Sequence, residues 1–432
     1  MERKADVVVV GGGLAGLAAS AYLARAGGQV VLVEKAAAIG GGARTQSEGG
    51  FQFNLGAHAL YRAGAGMAVL RELGVAVAGG RPTGEGGYAV RGGAMHTLPA
   101  GFVSLLTTGL LRAGEKMEAA RLFAALGRTD GDHLQDAPLA AWLARIHSPT
   151  VRQLMEATAR VATYTNDPER MSAGSALAQM RRALASGVLY LHGGWQTLVD
   201  GLRRAAEEAG VRILERRHAI AIERDMVVRG VRLDDGETLA AGAVLVTGGP
   251  DVAATLAATA GSTVVSTWAA QARPVRVACL DVALRRLPRP RATFALGIDE
   301  PLYVSVHSAV ARLAPEGGAL VHVMRYGGLA GDAPETVERQ LAGLLDALQP
   351  GWRDGVVRQR FLPDLLVSHA LPEAARGGTR GRPGPRVPDL PGLYVAGDWV
   401  GPEGMLADAS LASARAAAAA ILAGAARATS AA

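Results

Sequence analysis

The 432-residue sequence has one cysteine, three lysines and only 19 aromatic residues. A lone Cys279 excludes a disulfide framework and a thiolate-rich metal site. The nine histidines stand without ligand spacing, so no metal centre is expected. Lys4, Lys35 and Lys116 are outnumbered by 42 arginines, which reads as coding bias. The net charge of +6 is modest for the length, and no basic run is interleaved with aromatics, so nucleic-acid binding is not expected. No stretch reaches the roughly 20 apolar residues of a membrane span. "PAGFVSLLTTGLL" stops at Arg112, and the run 416–426 lies between Arg415 and Arg427. The start mimics a secretory leader, but its glycines fit a nucleotide-binding turn better. The expectation is a cytoplasmic protein, at most peripheral at a membrane.

What is abundant points to an enzyme-like globular chain. Apolar residues make up 49%, and 57 Gly and 20 Pro occur without a repeat period. The length calls for two or three domains, sequential or interleaved.

"ADVVVVGGGLAGLAASAYLARAGGQVVLVEK" reads as strand, turn, helix, strand. The run 7–10 has the continuous β-branched character of a parallel strand covered on both faces. Gly11-x-Gly13-x-x-Gly16 follows. With 57 glycines, about one such match is expected by chance, so the context carries the specificity. The glycines stand between a strand and a helix, and Glu34 ends the next strand. Gly11 permits a tight turn, Gly13 lets backbone approach a pyrophosphate, and Gly16 packs helix on strand. The helix N-terminus, with Leu14 and Ala15, offers N–H groups to phosphate. Glu34, followed by Lys35, can accept ribose hydroxyls and would repel a 2′-phosphate.

With "AIGGGARTQSEGGFQFNLGAHAL" added, the sequence resembles the flavoprotein superfamily of phytoene desaturases, protoporphyrinogen oxidases and monoamine oxidases, nearest the phytoene desaturase-like members. Gly40, Gly41 and Arg44 match that family's Gly-Gly-Arg-x-Arg segment; Gly56 and His58, around Ala57, match a later one. Gly42 stands where the family has Arg, leaving Arg44 as phosphate neutraliser, and Asn54 stands where Asp is common. The resemblance implies that the strand around Ala219 lends backbone to adenine. It also implies that Gly397-Asp398 in "LYVAGDWVGPEGMLADAS" binds the ribityl or pyrophosphate part of FAD. By the same resemblance Gly404, Met405 and Leu406 open a helix whose N-terminus faces the flavin pyrimidine. The expected fold is α/β: a Rossmann-like FAD-binding domain (1–75, 190–255, 385–432) interleaved with a mixed-sheet and helical substrate-binding domain (76–189, 256–384).

Apolar spacing predicts helices over 64–76, most of 100–186, and 334–348. Asp136 and Ser148 are expected N-caps, the latter with Pro149 following. The apolar stretch near 102–111 is expected to be buried core, with a pocket lid or membrane patch as alternatives. From 275 to 370 alternating strands predict a mixed sheet. Tyr303, Ser305 and His307 share one strand face, as do His322, Met324 and Tyr326. Tyr303, His307, His322 and Tyr326 are therefore substrate-pocket candidates, with a plain core role as the alternative.

A flavin performs hydride transfer itself, so no Ser/His/Asp or metal constellation is needed; His58 is the one candidate side chain for proton transfer. Amine oxidases of the resembling family use a lysine near the flavin and an aromatic pair. No lysine falls among the strands of 275–370, and Met405 stands where a cage tyrosine would be. The expected activity is thus FAD-dependent desaturation or dehydrogenation of an apolar, isoprenoid-like small molecule, with oxygen or a quinone as electron acceptor. Amine oxidation and a non-catalytic lipid-binding chaperone, like the GDP-dissociation inhibitors, are the alternatives. Cys279 is expected to be a small buried hydrophobe and the FAD to be held non-covalently.

Overall fold

The computed structural model describes residues 5–82, 86–128 and 131–430, with side chains through 426. Lys4 and the side chain of Arg427 lie outside the described residues. Two seven-stranded sheets organise the chain. The first has the spatial order Arg212–Glu215, Val30–Glu34, Ala5–Val10, Thr238–Val246, Val228–Leu233, Ala219–Arg224, with Leu393–Val395 also pairing Thr238–Val246. The strands around Ala5–Val10 pair in parallel; the two strands Ala219–Arg224 and Val228–Leu233 form an antiparallel flap. The last strand thereby lands beside the first segment's neighbour, which brings the chain's extremities together.

The period-two geometry of these strands divides their side chains between two cores. Val7, Val9, Leu32 and Leu245 pack with Leu17, Leu198 and Leu411 of the helices Leu14–Arg25, Gln196–Glu208 and Leu406–Ser430. Val8, Val31, Val244 and Val395 pack on the opposite side with Leu256 and Trp399. Both faces are buried, as the unbroken valine run required.

The second sheet runs Val356–Ser368, Val275–Leu284, Ala319–Tyr326, Leu302–Val306, Phe294–Gly297, Gly87–Arg91, Ala94–Thr97. All its pairings are antiparallel except Phe294–Gly297 with Gly87–Arg91. Leu280, Val304 and Val323 face the helix Pro334–Leu348. Val277, Cys279, Tyr303, Met324 and Tyr326 face the other way, into a core shared with the helices Pro149–Thr163 and Ala173–Ser186.

Three expectations are corrected. The helix Phe102–Thr107 buries none of its residues, and Phe102 is 78% exposed, so this part of the apolar stretch is surface; Leu110 and Leu111 are buried. Ser148 caps its helix by accepting from the Val151 N–H at 3.3 Å, but the short helix Leu139–Leu143 is preceded by Pro138 in extended conformation, leaving Asp136 outside the cap position. The terminal helix does meet the length and apolarity of a membrane span over 21 residues. Here its apolar side, including Leu411, Ala414 and Ile421, is packed against the first helix.

Candidate active site

A cavity of about 930 Å³ lies where the two sheets meet, at the upper end of the range for small-molecule sites. Its nucleotide end is built by the Gly-rich turn. Gly11 takes φ +108°, a conformation that favours glycine. A Cβ on Gly16 would lie 1.9 Å from the Gly11 carbonyl oxygen, so the helix can sit on its strand only with glycine there. A Cβ on Gly13 would meet nothing within 4 Å, so that side of the turn is open. The Glu34 carboxylate braces the turn: Oε2 accepts from the Gly12 N–H (2.7 Å) and Oε1 from the Ala36 N–H (2.8 Å). Each oxygen keeps a lone pair for a hydroxyl.

Gly11, Gly13, Leu14, Ala15, Glu34, Lys35, Gly41, Gly42, Arg44, Ala57, His58, Ala219, Gly397, Asp398 and Leu406 all border this one cavity. Gly16, Gly56, Gly404 and Met405 do not reach its wall. Gly16 serves packing, in line with its spacing. A Cβ on Gly56 would press on Leu365 and Cys279, so that glycine too is a close-packing position, and Met405 is buried in the helical core. Asn54 is structural: its Oδ1 accepts from Thr45 Oγ1 (2.7 Å) and from the Trp195 N–H (3.0 Å), fixing Trp195 on the cavity wall.

No sequence pattern points to the partner of Asp398. His369, at the end of the long strand, donates its ring Nδ1–H to Oδ1 (2.8 Å) and its backbone N–H to Oδ2 (2.9 Å). Burial pulls the Asp398 carboxyl upward, but His369 outweighs it and holds the group below the usual carboxylate range.

The other end of the cavity is apolar: Leu60, Val277, Met324, Leu365 and Val367 border it, with Tyr61, Tyr164 and Trp195. Tyr164 carries no sequence signal of this position. It ends the helix Pro149–Thr163 at φ +60°, uncommon for a non-glycine residue, and its hydroxyl donates to the Ala57 carbonyl (3.1 Å). Of the pocket candidates on the second sheet, Tyr303, His307, His322 and Tyr326 lie behind the wall, buried at 4, 1, 0 and 2% exposure; only their neighbour Met324 reaches it. The depth differs from the expectation because the helical layer covers Tyr303 and Tyr326.

Behind Ala57 and His58 lies a buried charged cluster. His322 Nδ1–H donates to Asp281 Oδ1 (2.6 Å), Cys279 Sγ–H to the same oxygen (3.2 Å), and Arg360 Nη2 to Oδ2 (2.6 Å). Arg360 also donates to the Asn54 carbonyl. Cys279 is fully buried as expected, yet it belongs to this polar network; burial, then Asp281, pushes its thiol well up. Burial alone would lift the Asp281 carboxyl, but His322 and then Arg360 hold it below its ordinary value. Cys279, Asp281 and His322 are close enough to share a cation, but the Arg360 guanidinium already neutralises Asp281. On the wall itself burial lowers the His58 pKa, keeping the ring neutral, with the Gly56 carbonyl as a partial offset.

These residues suit FAD: helix N–H groups and Arg44 for the diphosphate, Glu34 for a ribose, and an apolar chamber beyond. The chain is 49% identical over 59 residues to one of the polypeptides of limonene dehydrogenase from Castellaniella defragrans, covering 14% of this chain and 10% of that protein. It is 51% identical over 51 residues to carotenoid 3,4-desaturase of Haloarcula japonica, covering 12% and 10%. The chain thus spans about a tenth of the length of these relatives. An oxidoreductase structure from Methanosarcina mazei matches with a TM-score of 0.75 at 20% identity, over 96% of this chain and 99% of that one. Residues 14–422 match the family model of the flavin-containing amine oxidoreductases. The chain belongs to that family and is an FAD-dependent oxidoreductase.

Proposed function

We propose that this enzyme desaturates or dehydrogenates an apolar, isoprenoid-like small molecule. One hydrogen leaves as hydride to FAD, its neighbour leaves as a proton, and the two carbons form a double bond. Oxygen or a quinone then takes the electrons. The observation that carries this reading is the apolar chamber of Leu60, Val277, Met324, Leu365 and Val367, none of which offers a charge to hold an ammonium group. Lys35, the lysine bordering the cavity among the described residues, stands beside Glu34 at the nucleotide end. The similarity to a limonene dehydrogenase and a carotenoid 3,4-desaturase supports the same substrate class. Cys279 does not border the cavity, which supports non-covalent FAD. Contact with a membrane surface fits an apolar substrate: Phe102, Val103, Leu106 and Met117 are 78, 71, 55 and 59% exposed, flanked by Arg112 and Lys116.

Amine oxidation is the second reading, favoured by the aromatic rings of Tyr61, Tyr164 and Trp195 on the wall. Anaerobic mixing with isoprenoid hydrocarbons, isoprenoid alcohols and amines, followed by loss of flavin absorbance, decides between them. Bleaching by isoprenoids supports desaturation; bleaching by amines alone overturns it. Re-oxidation by air or by a quinone then identifies the acceptor.

A further inference from the structure

Desaturation releases one proton for every hydride, and some group on the cavity wall must take it. Of the carboxylates there, Glu34 and Asp398 have both oxygens engaged by N–H donors, and Asp251 is exposed in the first turn of the helix Pro250–Thr259. Asp408 is 2% exposed, with Oδ1 on the Gly66 N–H (2.9 Å) and Oδ2 enclosed against Gly64. Neither glycine borders the cavity, so that carboxylate faces away from it. Three histidines also border the cavity: His58, His218 and His369. His369 is paired to Asp398, which favours its charged form. His218 is exposed and follows Arg217, whose N–H bonds the Glu34 carbonyl (2.9 Å) at the nucleotide end.

His58 differs from all of these. Its Nδ1 lies 3.1 Å from the Gly56 carbonyl oxygen, which can only accept, so Nδ1 carries the hydrogen and Nε2 the lone pair. Nε2 is neither hydrogen-bonded nor enclosed, so that pair opens on the cavity His58 borders. The ring stands where the two ends of the cavity join. The Gly42 carbonyl, from the wall segment of residues 40–44, faces it on one side. Leu60 and Tyr61 of the apolar end follow two and three residues later. Its surroundings hold it still: the Tyr164 hydroxyl donates to the Ala57 carbonyl (3.1 Å), the Ala57 N–H faces the Cys279 sulfur, and Trp195 packs edge-on with ring centroids 4.9 Å apart.

We propose that His58 is the proton acceptor of the reaction: its Nε2 takes the proton leaving the substrate carbon as the hydride passes to FAD. This rests on the desaturation or dehydrogenation reading above. The electron pair of the broken C–H bond becomes the second bond of the alkene, and the ring becomes an imidazolium. Oxygen or a quinone then takes the hydride from the cofactor and the proton from His58, forming hydrogen peroxide or a quinol. Both substrate hydrogens end on the acceptor, and His58 is restored. The surroundings suit a neutral base. Burial dominates and lowers the ring's pKa, so its lone pair is free at neutral pH. The Gly56 and Gly42 carbonyls and Asp281 behind the wall favour the cation, and His322 opposes it. A C–H bond beside a departing hydride is acidic, so a weak base suffices.

The test is the rate of anaerobic FAD reduction against pH in wild type, His58→Asn and His58→Gln, using whichever substrate class bleaches the cofactor. The expected wild-type rate rises with pH through a limb below the ordinary histidine value of 6.5. Both variants retain FAD, lose the limb and lose roughly a hundredfold in rate. A limb kept in either variant, or a rate close to that of wild type, overturns the proposal. If no substrate bleaches wild type, the functional reading fails on its own account. His58 is then decided by nitrogen NMR of the holoenzyme labelled with 15N-histidine, in which the ring signal missing from the variants belongs to His58. An Nδ1–H tautomer whose Nε2 takes up a proton as the pH falls supports an open base on the wall. An Nε2–H tautomer, or an Nε2 that does not respond to pH, overturns it. Should one variant not fold, the other carries both measurements.

Discussion

The Asp398 carboxylate is gripped twice by one residue, at 2.8 Å by the ring Nδ1 of His369 and at 2.9 Å by its backbone N–H. The pair joins the last strand of the nucleotide sheet to the longest strand of the second sheet, at the cavity between them. Burial lowers the imidazole pKa, but Asp398 outweighs it, so His369 ends above its ordinary value. A histidine raised in the folded state contributes stability that is present below its unfolded pKa and lost as pH rises through the folded one. The folded protein should therefore lose stability as pH rises above neutrality. His369→Ala should be about 1 kcal/mol less stable below neutral pH and lose most of that pH dependence. Thermal melts at pH 6 and pH 9 check both expectations.

Gly13 and Gly16 belong to one motif but should fail differently. Gly16→Val places atoms on the Gly11 carbonyl, 1.9 Å from the Cβ position, and should abolish folding or sharply lower the melting temperature. A Cβ at position 13 meets nothing within 4 Å, so Gly13→Val should fold, yet its side chain should project into the open side of the turn where the diphosphate is expected. The expected outcome is a normal circular dichroism spectrum with no bound flavin. A yellow Gly13→Val protein would contradict the placement of the cofactor.

How far the sequence can be read follows from the range over which each signal acts. The Gly-rich turn, Glu34 and the helix Pro334–Leu348 are local patterns, and they emerge where spacing put them. The Gly397-Asp398 turn is legible because a resemblance supplies its partner. The Asp398–His369 pair is not, since 29 residues of chain intervene and no periodicity links them. Asp281, His322 and Arg360 meet only because strand register sets them side by side: Asp281 lies opposite His322 on one neighbour and Arg360 on the other. Asp408 looks like one polar residue in a run of small ones; the glycines that accommodate it come from residues 64 and 66, far away in sequence. The run at 102–107 misleads because hydrophobicity alone does not separate core from an exposed apolar face.

The buried cluster makes a stability prediction. Arg360→Met removes the guanidinium from Asp281, which is 0% exposed, and leaves its carboxylate with only His322 and the Cys279 thiol as partners. Stranding a buried charge in this way costs about 3–5 kcal/mol. The double variant Asp281→Asn/Arg360→Met should recover part of the loss, because the amide needs no counter-charge. Urea unfolding of the three proteins measures the difference; a loss below about 1 kcal/mol for Arg360→Met would mean that the pair is screened like a surface bridge.

The exposed face of the helix Phe102–Thr107 gives a prediction independent of catalysis. Replacing Phe102, Val103 and Leu106 by serine should leave the melting temperature nearly unchanged, because all three are already mostly in water. Sedimentation with anionic lipid vesicles should fall several-fold if the patch is what meets the bilayer. Equal sedimentation of the triple variant would move any membrane contact elsewhere on the surface.

Asp408 should reveal itself in stability before any substrate is known. Its folded pKa of about 6 lies above the ordinary aspartate value of 3.8, so the folded state favours the protonated form. For an acid raised in this way, the favourable contribution is complete below the unfolded pKa and is lost as pH rises through the folded one. Two pKa units correspond to about 3 kcal/mol as an upper bound, since Arg182 and the Gly66 N–H already oppose the burial effect. Asp408→Asn keeps the shape without the charge and should therefore be more stable than wild type above pH 6. That advantage should shrink to nothing as the pH approaches 4. Thermal melts of the two FAD-free proteins at pH 4.5 and pH 8 supply the comparison, and a variant less stable than wild type at pH 8 would show that the carboxylate is satisfied in its ionised form.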